Sequence, residues 1–166
     1  MKKILSIIIS LMLLCSFAFA EGVSFVTTDT DGNEVTEAIF ADYDLTMVNV
    51  WATWCGYCLE EMPFFDELKA SLPDNVNFIT ICEDASYNAE LVAQILEAVE
   101  ANYTTLVGTE EMFYTGMLRN VYAFPTTFFV DSEGKFVGEA IMGAPSLQDP
   151  LGAYREILNQ RIASLV

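Results

Sequence analysis

The chain predicts an α/β domain, a central mixed β-sheet flanked by helices and preceded by a β-hairpin. Three features of its 166 residues predict it. Short apolar runs alternate with runs of helical spacing through the middle of the chain, as in a parallel sheet with crossover helices. Two β-prone stretches flank Asp31-Gly32 near the start, and two more flank Ser132-Glu133-Gly134 near the end, which adds antiparallel pairs. The length suits one hydrophobic core rather than two.

Taken in order, residues 23–28 and 33–36 form the expected hairpin, and 37–44 read as a connector. Residues 47–51 (Met-Val-Asn-Val-Trp) are a short strand of the kind buried on both faces of a sheet. The segment 58–72 carries Met62, Phe65, Leu68 and Leu72 at helical spacing, with Pro63 expected to kink it and Pro73 beyond its end. Residues 76–82 read as a second buried strand. Residues 90–99 read as an amphipathic helix with Leu91, Ile95, Leu96 and Val99 facing inward. A short strand at 104–107, a helix at 110–120 with acids in its first turn, a hairpin of 126–130 with 135–141 and a closing helix at 147–165 complete the chain. No repeat, low-complexity tract or linker interrupts it.

The first twenty residues have the pattern of an export signal: Lys2 and Lys3, an apolar run over 4–19, and the small-x-small site Ala18-Phe19-Ala20. As a membrane anchor the run is short against the roughly 20 residues of a spanning helix. As a lipid-attachment signal at Cys15 it lacks small residues at Met12-Leu13-Leu14. Cleavage near Ala20 is therefore expected, leaving a domain of residues 21–166 outside the cytoplasm, in the periplasm or cell envelope or secreted. Seven Lys and Arg against 24 Asp and Glu give a net charge of −17, or −19 once Lys2 and Lys3 are removed. Such a chain is not expected to bind nucleic acid or an anionic membrane by general electrostatics. It contains no histidine, which excludes a Cys–His dyad, histidine-ligated metal and a C-x-x-C-H haem site.

The chemistry-bearing motif is Trp51-Ala52-Thr53-Trp54-Cys55-Gly56-Tyr57-Cys58, where a buried strand gives way to a helix. Unpaired amides at a helix start favour a thiolate at Cys55, and no imidazole is needed. Cys58, three residues on, lies on the same helix face and can close a redox disulfide with Cys55. Cys55 would attack a substrate disulfide and Cys58 would resolve the mixed disulfide, so no cofactor is required. Two other readings stand beside this one. Half of a zinc site would need further ligands, and only Cys82 is left as a thiol. A static structural disulfide is the other.

The motif resembles the active-site signature of the thioredoxin superfamily, and in particular its extracytoplasmic TlpA/ResA branch. The segment 122–134 (Tyr-Ala-Phe-Pro-Thr-Thr-Phe-Phe-Val-Asp-Ser-Glu-Gly) is similar to the family's cis-proline strand and turn. The resemblance implies a thioredoxin-like fold in which Pro125 is a cis proline facing the cysteine pair. Phe124 would then offer its backbone to an extended substrate, with Trp54, Gly56 and Tyr57 at the substrate-binding rim. Trp51 and Trp54 are expected to divide between core and rim.

The sequence departs from thioredoxin at Asn49, where thioredoxin has a buried aspartate that accepts the second thiol's proton. The resemblance implies a glutamate acceptor instead, placed here at Glu83 with Asp84 as its near-register rival. Cys82 is read as a small buried hydrophobe.

These features point to an exported oxidoreductase reducing disulfides of protein substrates, and the resemblance implies a membrane thiol relay as its electron donor. Cytochrome c maturation is one role of that branch. The rivals are a disulfide oxidase or isomerase, since Cys-Gly-Tyr-Cys also resembles the DsbC active site, and a non-catalytic binding module of the same fold. The direction of exchange is not legible, because active sites of this kind span about −270 to −120 mV.

Overall fold

A computed structural model describes residues 22–165; the expected leader, its expected cleavage near Ala20 and Cys15 lie outside the described residues. The β-prone start forms the antiparallel pair β1 (Val26–Thr28) and β2 (Glu34–Thr36), turned by Gly32 at φ +86°. A short 3₁₀ turn, Glu37–Phe40, leads to β3 (Leu45–Trp51), every residue of which is buried. Then follow α1 (Gly56–Glu61), a 3₁₀ turn (Met62–Phe64), α2 (Phe65–Ala70) and β4 (Val76–Cys82). The chain continues through α3 (Ala85–Ala98), β5 (Thr104–Val107), α4 (Glu110–Tyr114), β6 (Thr126–Asp131), β7 (Ile141–Met142) and α5 (Pro150–Ala163).

Five strands form one sheet in the order β5-β4-β3-β6-β7. β3 pairs in parallel with β4, and β4 with β5; β6 runs antiparallel to β3, and β7 antiparallel to β6. Because side chains alternate along a strand, each strand feeds both faces. Leu45, Met47, Trp51, Phe78 and Phe129 meet Phe65, Leu68, Val92, Tyr154 and Leu158 of the helices on one face. Val48, Val50, Ile79, Ile81, Phe128 and Val130 pack with Phe25, Phe40, Leu106, Met112 and Leu118 on the other. The hairpin covers the β5 edge, where Thr30 N–H donates to the Thr105 carbonyl and the Thr27 hydroxyl to Val107. This is the mixed sheet with N-terminal hairpin that the sequence predicts.

Several boundaries differ from expectation, each for a local reason. The helix expected over 58–72 starts at Gly56 and is interrupted at Met62–Phe64, where Pro63 lacks the N–H that would continue the ladder. Phe64, beside Pro63, is 40% exposed, while its neighbours Met62 and Phe65 are buried. α3 begins at Ala85, directly after β4, with non-helical backbone at Asn88. Leu91, assigned to its inner face, is exposed, and Val92 is buried in its place. The helix expected to reach residue 120 ends at Tyr114, where Thr115 and Gly116 N–H both turn back to the Glu111 carbonyl. The strand expected over 135–141 is reduced to a bridge between Phe136 and Val130 and the two residues of β7, with Gly138 at φ +71° between them.

Candidate redox site

β3 carries the chain to the carboxyl end of the sheet, where Ala52, Thr53 and Trp54 turn it into α1. Cys55 caps α1 in extended conformation. Its Sγ accepts the Cys58 N–H at 3.2 Å, and Cys55 N–H closes a turn onto the Ala52 carbonyl at 3.0 Å. Cys55 and Cys58 are joined in a disulfide, their Cα atoms 5.3 Å apart. Cys55 is 5% exposed and Cys58 not at all, so an incoming reactant would meet Cys55 first. Gly56 has open space where a side chain would stand, and Tyr57 is exposed beside it.

The pairing of Val50 with Thr126 sets the start of β6 beside the end of β3, and with it the Phe124–Pro125 peptide, which is cis. Trp54 is exposed and packs edge-on against Phe124, with ring centroids 5.6 Å apart; Phe124 in turn meets Phe113. Trp51 is fully buried, its indole N–H on the Thr80 hydroxyl. The expected division of the two tryptophans is therefore present in the structure.

A residue not singled out in the sequence lies beneath the disulfide. Glu61 follows Cys58 by one turn of α1, and both side chains are wholly buried. Its Oε1 accepts from Asn49 Nδ2 at 2.9 Å and its Oε2 from the Tyr154 hydroxyl at 3.0 Å. Asn49 Nδ2 also donates to Thr127 Oγ1 at 3.1 Å, and the Thr127 and Tyr154 hydroxyls lie 3.2 Å apart. Burial pushes the Glu61 carboxyl up from 4.5 to about 7, against the two hydrogen bonds, which favour its charged form. A signal was present in the sequence: Glu61 is a lone acid among the apolar residues Cys58, Met62 and Phe65 at helical spacing, a place an acid takes only with a partner or a task.

Glu83 follows β4, partly exposed, and its side chain makes no hydrogen bond among the described residues. Burial, and secondarily the charge of Asp84, raise its pKa. Asp84 is fully buried and bonded to the Thr53 amide and hydroxyl. Cys82 is a buried free thiol. No group of three or more Cys, Asp or Glu among the described residues could hold a metal ion, and no described helix is long and apolar enough to cross a membrane.

A buried strand that delivers a cysteine pair to a helix start beside a cis proline defines a thioredoxin-fold protein of the redox-active kind. The chain belongs to the Redoxin family, whose model matches residues 18–146. Within the thioredoxin superfamily it is TlpA/ResA-like. It is 27% identical over 122 residues to thiol-disulfide oxidoreductase ResA of Bacillus thuringiensis subsp. konkukian, covering 72% of this chain and 66% of that protein. Against ResA of Bacillus subtilis it is 25% identical over 119 residues, covering 71% and 64%. The chain thus spans about two thirds of the length of these relatives. Its fold is similar to that of StoA from Bacillus subtilis, with a TM-score of 0.62 at 18% identity over 81% of this chain and 98% of that one. It is likewise similar to dsbF of MTB, with a TM-score of 0.66 at 20% identity over 87% and 96%.

Proposed function

We propose that the protein is an extracytoplasmic thiol–disulfide oxidoreductase that reduces disulfides in protein substrates. The observation that carries this reading is the Cys55–Cys58 disulfide at the strand-to-helix junction, Cys55 slightly exposed and Cys58 wholly buried, at the end of the sheet that also carries the cis Phe124–Pro125 peptide. In the reduced protein the Cys55 thiolate attacks one sulfur of the substrate disulfide; the S–S bond breaks and the other substrate sulfur leaves as thiolate. Cys58 gives up its proton and attacks the Cys55 sulfur of the mixed disulfide. The second substrate thiolate is released, and both electrons end on the substrate. Phe124 and Pro125 hold the substrate backbone, with Trp54, Gly56 and Tyr57 at the rim.

Glu61 is the acceptor of the Cys58 proton in this scheme. It is buried one turn from that thiol and titrates near neutrality, where a base both takes and returns a proton. Glu83, the acceptor expected from sequence, is partly exposed and has no such wiring. The similarity to the ResA thiol-disulfide oxidoreductases supports the oxidoreductase reading, and the leader pattern supports a location outside the cytoplasm. Re-reduction by a membrane thiol relay belongs to the same proposal.

The test is reduction of insulin by dithiothreitol with wild type and C55S, together with an equilibrium titration against glutathione. Acceleration that requires Cys55, with a potential well below that of glutathione, supports the reductase. A potential near −120 mV would make it an oxidase, and no acceleration would make it a binding module.

A further inference from the structure

We propose that Asp84 is a positioning residue for the nucleophile, holding the Thr53-Trp54-Cys55 turn in its attacking geometry through Thr53; this rests on the reading of Cys55 as nucleophile. Asp84 occupies the N-cap of α3, where an aspartate ordinarily turns its side chain onto the first amides of its own helix. Here it makes no such bond. Oδ1 accepts the Thr53 N–H at 2.9 Å and the Cys82 S–H at 3.2 Å. Oδ2 accepts from the Thr53 hydroxyl and from Asn88 Nδ2, the latter at 2.9 Å. The helix forgoes a cap worth about 1 kcal/mol, and the carboxylate reaches across to the loop after β3 instead.

The carboxyl is wholly buried, and no Lys or Arg pairs with it among the described residues. A buried carboxylate without a counter-ion is tolerated only when its lone pairs are filled, and four donors fill them. Burial alone would raise its pKa. The bonds from Thr53, Asn88 and Cys82 outweigh burial and hold the group below its ordinary value, so it is charged at neutral pH.

The consequence falls on the nucleophile's loop. Glu83 N–H donates to the Trp51 carbonyl at 2.8 Å, and Asp84 takes both donors of Thr53, so the loop is stitched to the end of β4 on either side of Ala52. Trp54 packs edge-on against Phe124. Cys55 then closes its own turn on Ala52. Thr53 therefore supplies the side-chain anchor between a rigid strand and the reacting sulfur, and Asp84 is what it is anchored to.

The experiment measures attack by the reduced, full-length protein on a small disulfide, oxidised glutathione, at fixed pH and well below each variant's thermal midpoint. Wild type, T53V, T53S, D84N and C55S are compared. T53V deletes the hydroxyl and leaves the backbone N–H and the other partners of Asp84 in place, so it tests the anchor even where D84N folds poorly. The expected result is a loss of roughly tenfold in T53V, at least as much in D84N, and recovery to within about twofold of wild type in T53S. A role in stability alone would lower the thermal midpoint and leave these rates unchanged. Wild-type rates in both T53V and D84N would overturn the proposal alone. Wild type no faster than C55S would overturn the oxidoreductase reading and this proposal with it.

Discussion

Replacing Glu61 by Gln should make the protein more stable at alkaline pH and slower as an enzyme. The substitution keeps the shape of the side chain. Its carbonyl can accept from Asn49, and its amide can donate to a Tyr154 hydroxyl that turns toward Thr127, so what changes is the ability to ionise. The folded carboxyl titrates near 7 against 4.5 without its surroundings. Between those values the native state holds a proton that the unfolded chain has lost, so stability falls as pH rises. The contribution is full below about pH 4.5, where both states are protonated, and is gone above about 7. That gap corresponds to about 3 kcal/mol.

Urea unfolding of the disulfide form of wild type and E61Q at pH 4.5 and pH 8 measures it without interference from the active-site thiols. The difference between the two proteins should swing by about 3 kcal/mol in favour of E61Q on going to pH 8. Single-turnover reduction should meanwhile slow by roughly a hundredfold at the Cys58 step, the usual cost of removing a positioned base. If wild type and E61Q change in parallel between the two pH values, Glu61 is not buried as a near-neutral acid, and the proton-acceptor assignment falls with it.

Four further outcomes follow from the same geometry. Y154F removes a donor that favours the charged Glu61, so the midpoint of the pH–rate profile should move upward by roughly one unit; a downward shift would contradict the network. N49D sets a second carboxyl against Glu61, and two acids at that separation share one proton, so stability should fall more steeply with rising pH than in wild type; denaturation at several pH values reads this out. W54A loses an exposed edge-on contact with Phe124, so stability should change by less than about 1 kcal/mol while turnover of a protein disulfide falls more than that of a small one; equal losses on both would remove Trp54 from the substrate rim. G108A places a Cβ 2.7 Å from the Cys82 carbonyl oxygen and 3.0 Å from the Glu83 Cα, both backbone, and should cost about 1–3 kcal/mol in urea unfolding; a neutral result would mean that the β4 end yields.

What the sequence made legible was whatever depends on period and punctuation. β3 and β4 are mostly apolar, β-prone runs, and the hairpin turns at Asp31-Gly32; each lies where it is expected because burial on both faces, or a positive φ, leaves few alternatives. The cysteine pair is legible from its spacing at the strand-to-helix junction, whereas the role of Pro125 comes from the family resemblance of residues 122–134. α3 begins five residues before the expected residue 90: Ala85, Ser86, Tyr87 and Asn88 have no apolar period, and their helix is set by the turn off β4 and the bonds to Asp84. The strand expected over 135–141 failed because Gly138 and Gly143 take positive φ and leave β7 only two residues. Glu61 and the anchoring role of Asp84 are obscured for a common reason. Each acts through partners distant in sequence, Asn49, Tyr154 and Thr53, and tertiary wiring of that kind leaves no spacing to read.

The placement of the acid also explains how Asn49 is tolerated in a strand buried on both faces. An aspartate there, as in thioredoxin, would bring its charge in on β3, and its distance to the second thiol would depend on how the sheet packs against α1. In this protein β3 supplies a donor and the acid rides on the same helix as the Cys58 thiol, one turn further on, so the spacing of the two follows from helix geometry. The two solutions converge on one spot, since Asn49 Nδ2 lies 2.9 Å from Glu61 Oε1. The amide favours the charged acid and, with Tyr154, holds against burial a group that would otherwise titrate still higher. A carboxyl left too basic would keep its proton and could not accept another from Cys58, so Asn49 and Tyr154 matter to the reaction through the proton affinity of Glu61.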